Sequence, residues 1–161
     1  MSEPAASFPV EHAVPESVRS AVESVVDPEI PVLTIKDLGV LREIRMEGTQ
    51  VVVTITPTYS GCPAMVEIRE AVEKALTEAD TKDFRVKTSL APAWTTDWMS
   101  EDGKRKLLEY GISPPRRGQG VACPQCGSEN ATLVSEFGST ACKALYRCNE
   151  CLEPFDHFKC H

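Results

Sequence analysis

The chain has 161 residues, of which 42% are hydrophobic and 25% charged, and a formal charge of −7 at pH 7. That is the composition of a globular protein with room for one ordinary domain, or for a domain of about 110 residues and a small appendage. The acidic balance disfavours a nucleic-acid partner, no run approaches the ~18 apolar residues of a membrane span, and the acidic, proline-bearing N-terminus lacks a signal-peptide pattern, so a cytoplasmic protein is expected.

Residues 1–14 carry no periodicity and are expected as a flexible lead-in. From Pro15 onward Val18, Ala21, Val22 and Val25 share one helical face, predicting a helix over 15–26. Asp27-Pro28-Glu29-Ile30-Pro31 stops it, because each proline removes a donor and pushes its predecessor to extended geometry. The carboxylates of Asp27 and Glu29 are then either a ligand or docking surface or part of a solvated helix stop. Residues 34–39 predict a turn on Gly39, residues 40–46 a half-buried strand, and residues 47–50 a hairpin loop into a strand over 51–56.

Next comes TITPTYSGCPAM, residues 54–65, which joins that strand to a helix over 63–79 with Met65, Ile68, Val72, Ala75 and Leu76 on one face. Cys62 falls at or beside the N-cap, where unpaired N–H groups and the helix dipole favour a thiolate. The alternative is a small buried apolar residue, since free cysteine is among the most buried residue types. A third strand is predicted over 84–90. Helix, two strands, helix and strand make an α+β fold, a small mixed sheet covered by helices. Residues 91–100 hold Trp94 and Trp98, followed by a short helix that starts at Thr95 or Thr96 and continues through 104–110. The two tryptophans either close the open side of the sheet as core or form an aromatic docking surface near Cys62. GISPPRRGQG, residues 111–120, is a linker by composition, separating a domain over 15–110 from a tail over 121–161.

Six of the seven cysteines fall in that tail. Cys123-Pro-Gln-Cys126 and Cys148-Asn-Glu-Cys151 are two C-x-x-C turns, each able to bring two thiolates to one ion, and together they form a closed four-cysteine site. Residues 121–161 are too few for a stable core of their own, and metal binding would supply the missing stabilisation. A C-terminal zinc ribbon follows, with hairpin strands over 131–137 and 143–147. Zinc fills a structural role there, and iron would also suit four sulfurs. Cys142, His157, Cys160 and His161 are left over, as a structural end or a second metal site.

Asp27-Pro28-Glu29-Ile30-Pro31, Asp37-Leu38-Gly39 and Thr56-x-Thr58-x-x-x-Cys62-Pro63 resemble the signature of the SufT-type domain associated with iron–sulfur protein maturation. Including Trp94-Thr-Thr-Asp-Trp98, Gly111-Ile-Ser-Pro-Pro and the stretch from Phe137 to Cys148, the whole chain is similar to the PaaD family of the phenylacetyl-CoA epoxidase system. The resemblance implies an accessory, non-catalytic subunit in aerobic phenylacetate breakdown, partnered by oxygenase and reductase components. The di-iron, flavin and [2Fe–2S] groups of those components have no matching motifs here. Cys62, with Asp27 and Glu29 nearby, would transiently hold iron or an iron–sulfur cluster, with a homodimer partner or a client completing the ligand set. Two other readings stand beside it. One is a structural docking subunit; the other is an enzyme with Cys62 as nucleophile, which would need a histidine base.

Overall fold

The computed structural model describes residues 13–59 and 61–159; the expectations for Cys160, His161 and most of the lead-in lie outside them. Helix α1, Glu16–Glu23, begins where the Pro15 carbonyl accepts from the N–H groups of Val18 and Arg19 at 3.0 Å each, and it buries Val18 and Val22. It ends before the expected Val26, because Val26 bridges Thr34 and the Val25 carbonyl accepts from the Ile35 N–H at 2.8 Å. That clasp closes the proline-bearing loop. Within it Asp27 Oδ1 accepts from the N–H groups of Glu29 and Ile30, at 2.7 and 2.8 Å.

The turn expected over 34–39 is a short helix, α2, Ile35–Leu38, held by a capping box between Thr34 and Asp37 and closed by Gly39 at φ 77°. Only glycine fits at Gly39: a Cβ there would lie 2.5 Å from the Trp98 carbonyl oxygen. Strands β1, Leu41–Glu47, and β2, Gln50–Ile55, form an antiparallel hairpin, and β2 pairs in parallel with β3, Phe84–Thr88, after the crossover helix α3, Ala64–Glu78. This is the small mixed sheet that the sequence pattern predicts. Its central strand β2 is buried from Val51 to Ile55. A bulge at Arg42 in β1 turns that guanidinium onto the Trp98 ring, 3.5 Å from its centroid.

Where one helix is predicted after Thr95, the chain makes a 3-10 turn, Thr96–Trp98, and then α4, Glu101–Glu109. Met99 is extended between them and Ser100 starts afresh as a cap, its Oγ accepting from the Gly103 N–H at 2.9 Å. The stretch expected as a linker is not wholly one. Its Ile112–Ser113 form β4, which pairs in parallel with β7, Pro154–Phe158. The ribbon sheet runs β4-β7-β6-β5, with β5, Ala131–Ser135, and β6, Lys143–Cys148, antiparallel, so a third ribbon strand stands beside the predicted hairpin. Ile112, Cys142 and Phe158 belong to the same hydrophobic cluster as Val22, Ile55 and Leu76, so one core runs from the α+β layer into the ribbon sheet. The ribbon's other buried cluster is small: Cys123, Cys148 and Phe155.

Candidate metal centre and the Cys62 site

Cys123, Cys126, Cys148 and Cys151 lie with their sulfurs within 4.8 Å of one another. The Cys123–Cys151 and Cys126–Cys148 sulfur separations are 3.6 and 3.5 Å. A disulfide would need about 2.05 Å. A tetrahedron with metal–sulfur bonds of about 2.3 Å puts its sulfurs about 3.7 Å apart, so the four thiols fit one tetrahedral ion. In each turn a backbone N–H points at the first sulfur. The Gln125 N–H points at Cys123 Sγ at 3.4 Å, and the Cys151 N–H at Cys148 Sγ at 3.5 Å. A left-handed residue then follows each outer cysteine, Gly127 at φ 78° and Leu152 at φ 69°. The backbone N–H of Cys151 chiefly pulls the Cys148 thiol down to about 7. At Cys151 the backbone N–H of Glu153 acts in the same sense, but burial and the crowding sulfurs outweigh it and push the thiol up to about 12. Four sulfurs at this spacing cannot all be thiolates without a cation between them. The centre is closed, so it offers a bound ion no open position.

Cys62 lies one residue before the N-cap of α3, which is Pro63, and is half-buried. Its N–H donates to the Tyr59 carbonyl and its carbonyl accepts from the Met65 N–H, both at 3.2 Å, so the thiol is carried on a turn fixed at each end. Tyr59 faces it: burial first, then the charge and hydrogen bonding of Cys62, push the phenol up to about 12, with Glu29 and Cys142 adding to the effect. The Glu29 carboxyl is raised by burial, then by Asp27, against the opposing charge of Lys143. Cys62, Glu29 and Tyr59 thus share one neighbourhood. Asp27, 7% exposed with Oδ1 taken by two backbone donors, shapes the loop that carries Glu29.

Both tryptophans bear on the core rather than on a free aromatic surface. Trp94 is 5% exposed, its indole N–H donates to the Leu38 carbonyl at 2.9 Å, and Phe158 meets its ring edge-on at 6.1 Å. Trp98 is partly buried against the core beneath Arg42. The exposed apolar side chains of the tail include instead Leu133, Val134 and Phe137, on and after the edge strand β5. Asp37, Leu38 and Gly39 are architectural too: Asp37 Oδ2 pairs with Lys106 Nζ at 2.6 Å, and its carbonyl accepts from the Ser100 N–H at 2.9 Å.

Sequence reasoning places Cys142 among the leftovers. It is 5% exposed, its sulfur lies 3.0 Å from Thr140 Oγ1, and its carbonyl accepts from the Lys159 N–H at 3.0 Å. Burial raises its thiol; Thr140 and Lys143 oppose, while Glu29 and Asp27 add. His157, another leftover, is buried on β7 with Nδ1 3.2 Å from Ser113 Oγ, and burial lowers its pKa.

Comparison with known proteins gives two family matches in series: residues 15–87 to the iron–sulfur cluster assembly protein family, and residues 111–159 to the PaaD zinc beta ribbon domain. A protein of Escherichia coli (strain K12), described as one subunit of a putative 1,2-phenylacetyl-CoA epoxidase, is 53% identical over 141 residues, covering 83% of this chain and 86% of that protein. The Fe-S protein maturation auxiliary factor YitW of Bacillus subtilis (strain 168) is 37% identical over 100 residues, 61% of this chain and 97% of its own. Among solved structures, a DUF59 domain from Bacillus anthracis matches with a TM-score of 0.51 at 29% identity, covering 56% of this chain and 87% of that one. A conserved hypothetical protein from Thermotoga maritima matches with a TM-score of 0.50 at 26% identity, covering 60% of this chain and 96% of that one.

Proposed function

Because the chain belongs to the PaaD family of phenylacetyl-CoA epoxidase components, we propose that it is an accessory subunit of a phenylacetate-degrading oxygenase system that helps mature an iron or iron–sulfur site in an oxygenase component. Cys62 is the transfer thiol. The observation that carries this reading is its position: a half-buried thiol on a fixed turn at the mouth of α3, beside Glu29 and Tyr59, in the portion that matches the iron–sulfur assembly family. A thiolate suits iron and releases it to a better ligand set, and a half-exposed position lets a client reach it. The ribbon holds a structural zinc through Cys123, Cys126, Cys148 and Cys151 and presents the tail to the oxygenase and reductase components.

The test is Cys62→Ser in cells that make the oxygenase. The variant should keep about one zinc per chain and leave the oxygenase component depleted of iron; an oxygenase fully loaded with iron beside it would overturn the transfer role. In that event the reading passes to a docking role, which the exposed Leu133, Val134 and Phe137 on and after the edge strand β5 favour.

A further inference from the structure

We propose that the β5 edge of the ribbon sheet, with Leu133, Val134 and Phe137, docks a basic, extended segment of an oxygenase component. This rests on the reading of the chain as an accessory subunit and is independent of what Cys62 does.

Sheets guard their open edges with charged side chains or very short strands, because an edge offers its N–H and carbonyl groups to any other strand. Three of the four sheet edges among the described residues are guarded in this way. β1 carries Arg42, Glu43, Arg45 and Glu47, β3 carries Arg85 and Lys87, and β4 is two residues long. β5 is the exception: ATLVS holds no charge, and Leu133 and Val134 are 45% and 59% exposed. Part of its ladder also points outward. The Asn149 N–H donates to the Asn130 carbonyl at 2.9 Å. The alternation of an antiparallel pair then turns Thr132 towards Arg147, and the N–H and carbonyl of Leu133 away from β6. The bulge between Leu133 and Ser135 keeps this open ladder short, so side chains supply most of the grip.

Those side chains are set in advance. Phe137 is 65% exposed, yet its N–H donates to Ser135 Oγ at 3.2 Å and its carbonyl accepts from that hydroxyl at 2.8 Å. Lys159 Nζ lies 4.6 Å from the ring centroid while donating to the Glu136 carbonyl at 2.9 Å. A ring pinned in solvent has little freedom left to lose on binding, and aromatic anchors dominate interface energetics. Leu133 ends a row across the sheet: its register partner is Tyr146, whose ring stacks on Phe155 at 6.0 Å. An apolar residue on an added strand would lengthen that row.

Charge selects the occupant. Residues 121–161 hold 5 Asp/Glu against 3 Lys/Arg. Of the three cations, Lys143 is buried and Lys159 is engaged by Phe137 and the Glu136 carbonyl. A divalent ion held by four thiolates adds a formal charge of about −2. Glu136 and Glu150 are exposed beside the edge, with Glu150 Oε1 accepting from Asn130 Nδ2 at 3.0 Å. A second copy would set this acidic rim, and a chain charge of −7, against itself. A segment with Lys or Arg alternating with apolar residues meets both the rim and the row.

The test immobilises the full chain with its ribbon filled with zinc and passes over it the oxygenase complex purified from cells lacking this chain. Binding should weaken as salt rises from about 0.05 to 0.5 M. Leu133→Lys and Phe137→Ala, with zinc retained, should bind about tenfold more weakly or worse. In wild type the Leu133 amide should exchange hydrogen more slowly in the complex, a readout that stands even if a variant fails to fold. Unchanged affinity of both variants, or an unchanged Leu133 exchange rate, overturns the docking surface and leaves the accessory-subunit reading standing. Affinity indifferent to salt and to Glu136→Lys overturns the basic occupant. Self-association of wild type that Leu133→Lys abolishes gives the edge to a second copy and overturns the proposal. A wild type that binds nothing in the complex overturns both the surface and the reading of the chain as a subunit of that system.

Discussion

Burial first, and then the charge of Asp27, raise the Glu29 carboxyl above its ordinary range, with Lys143 pulling the other way. The folded protein therefore holds that proton more tightly than the unfolded chain does. Such a group costs nothing below its unfolded pKa, and it lowers stability as pH rises through the folded pKa. Glu29→Gln is accordingly expected to unfold at a higher denaturant midpoint than wild type at pH 7, with the advantage gone near pH ~4, where wild type is protonated too. A midpoint at pH 7 equal to or below that of wild type would contradict this. The same residue shows what sequence can convey at this scale. Asp27 and Glu29 flank a proline and look alike in one dimension, yet one carboxylate is spent on backbone donors and the other is not. Trp94 poses a parallel ambiguity, since an indole is amphipathic; the Leu38 carbonyl that satisfies its N–H lies 56 residues earlier. Cys142 carries no local signal at all. The distant carboxylates that act on its buried thiol, Asp27 and Glu29, lie more than 110 residues away, and no spacing rule reaches that far.

At the scale of elements, the informative piece is the four-residue helix α2, which ties together parts that one-dimensional patterns treat separately. The Asp37 carboxylate closes the capping box on Thr34, pairs with Lys106 of α4 and lies 3.3 Å from Ser100 Oγ. Burial alone would raise this carboxyl, but the hydrogen bonds from Lys106 and Thr34 outweigh it and hold it below the ordinary value. The sign is opposite to that at Glu29: the stability is present above the unfolded pKa and is lost as pH falls through the folded one. Lys106→Met should therefore destabilise the protein by about 1–2 kcal/mol at neutral pH, the worth of a charge-assisted hydrogen bond discounted for the lysine's partial exposure. The gap from wild type should narrow below pH ~4. Denaturant midpoints at neutral and acid pH check both statements, and a gap of constant size would sink the assignment. Elements themselves are largely legible. The β-branched run of β2, the apolar stripe of α3 and the turn glycine at Gly39 each carry a strong local preference. What escapes is β4, two residues long in a proline-rich stretch, and β7, whose Phe155, His157 and Phe158 have meaning only once β6 lies beside them.

Over the whole molecule, the ribbon is joined to the α+β layer through one core, while its far end carries the four cysteines proposed to hold a metal. The buried cluster of that far end is Cys123, Cys148 and Phe155, and two of the three are proposed ligands. Zinc supplies of the order of 10–16 kcal/mol to small Cys/His domains, so removing it should undo what this small cluster cannot hold. The near end is different, because Ile112, Cys142 and Phe158 are packed with the large core and β4 extends the chain directly from α4. Loss of the metal should thus propagate along β6 and β7 and stop at the α+β layer. Treating the protein with a strong zinc chelator at neutral pH is expected to release one ion. The emission of Trp94 should shift as Phe158 loosens from it, while the far-ultraviolet signal of α1, α3 and α4 persists. Restoring zinc should reverse the shift. If the metal leaves and tryptophan emission stays the same, the ribbon's near end is held by the core alone and zinc has no hold on the Cys142 side. If the helical signal collapses as well, the α+β layer draws stability from the ribbon, and the two matched families form one cooperative unit.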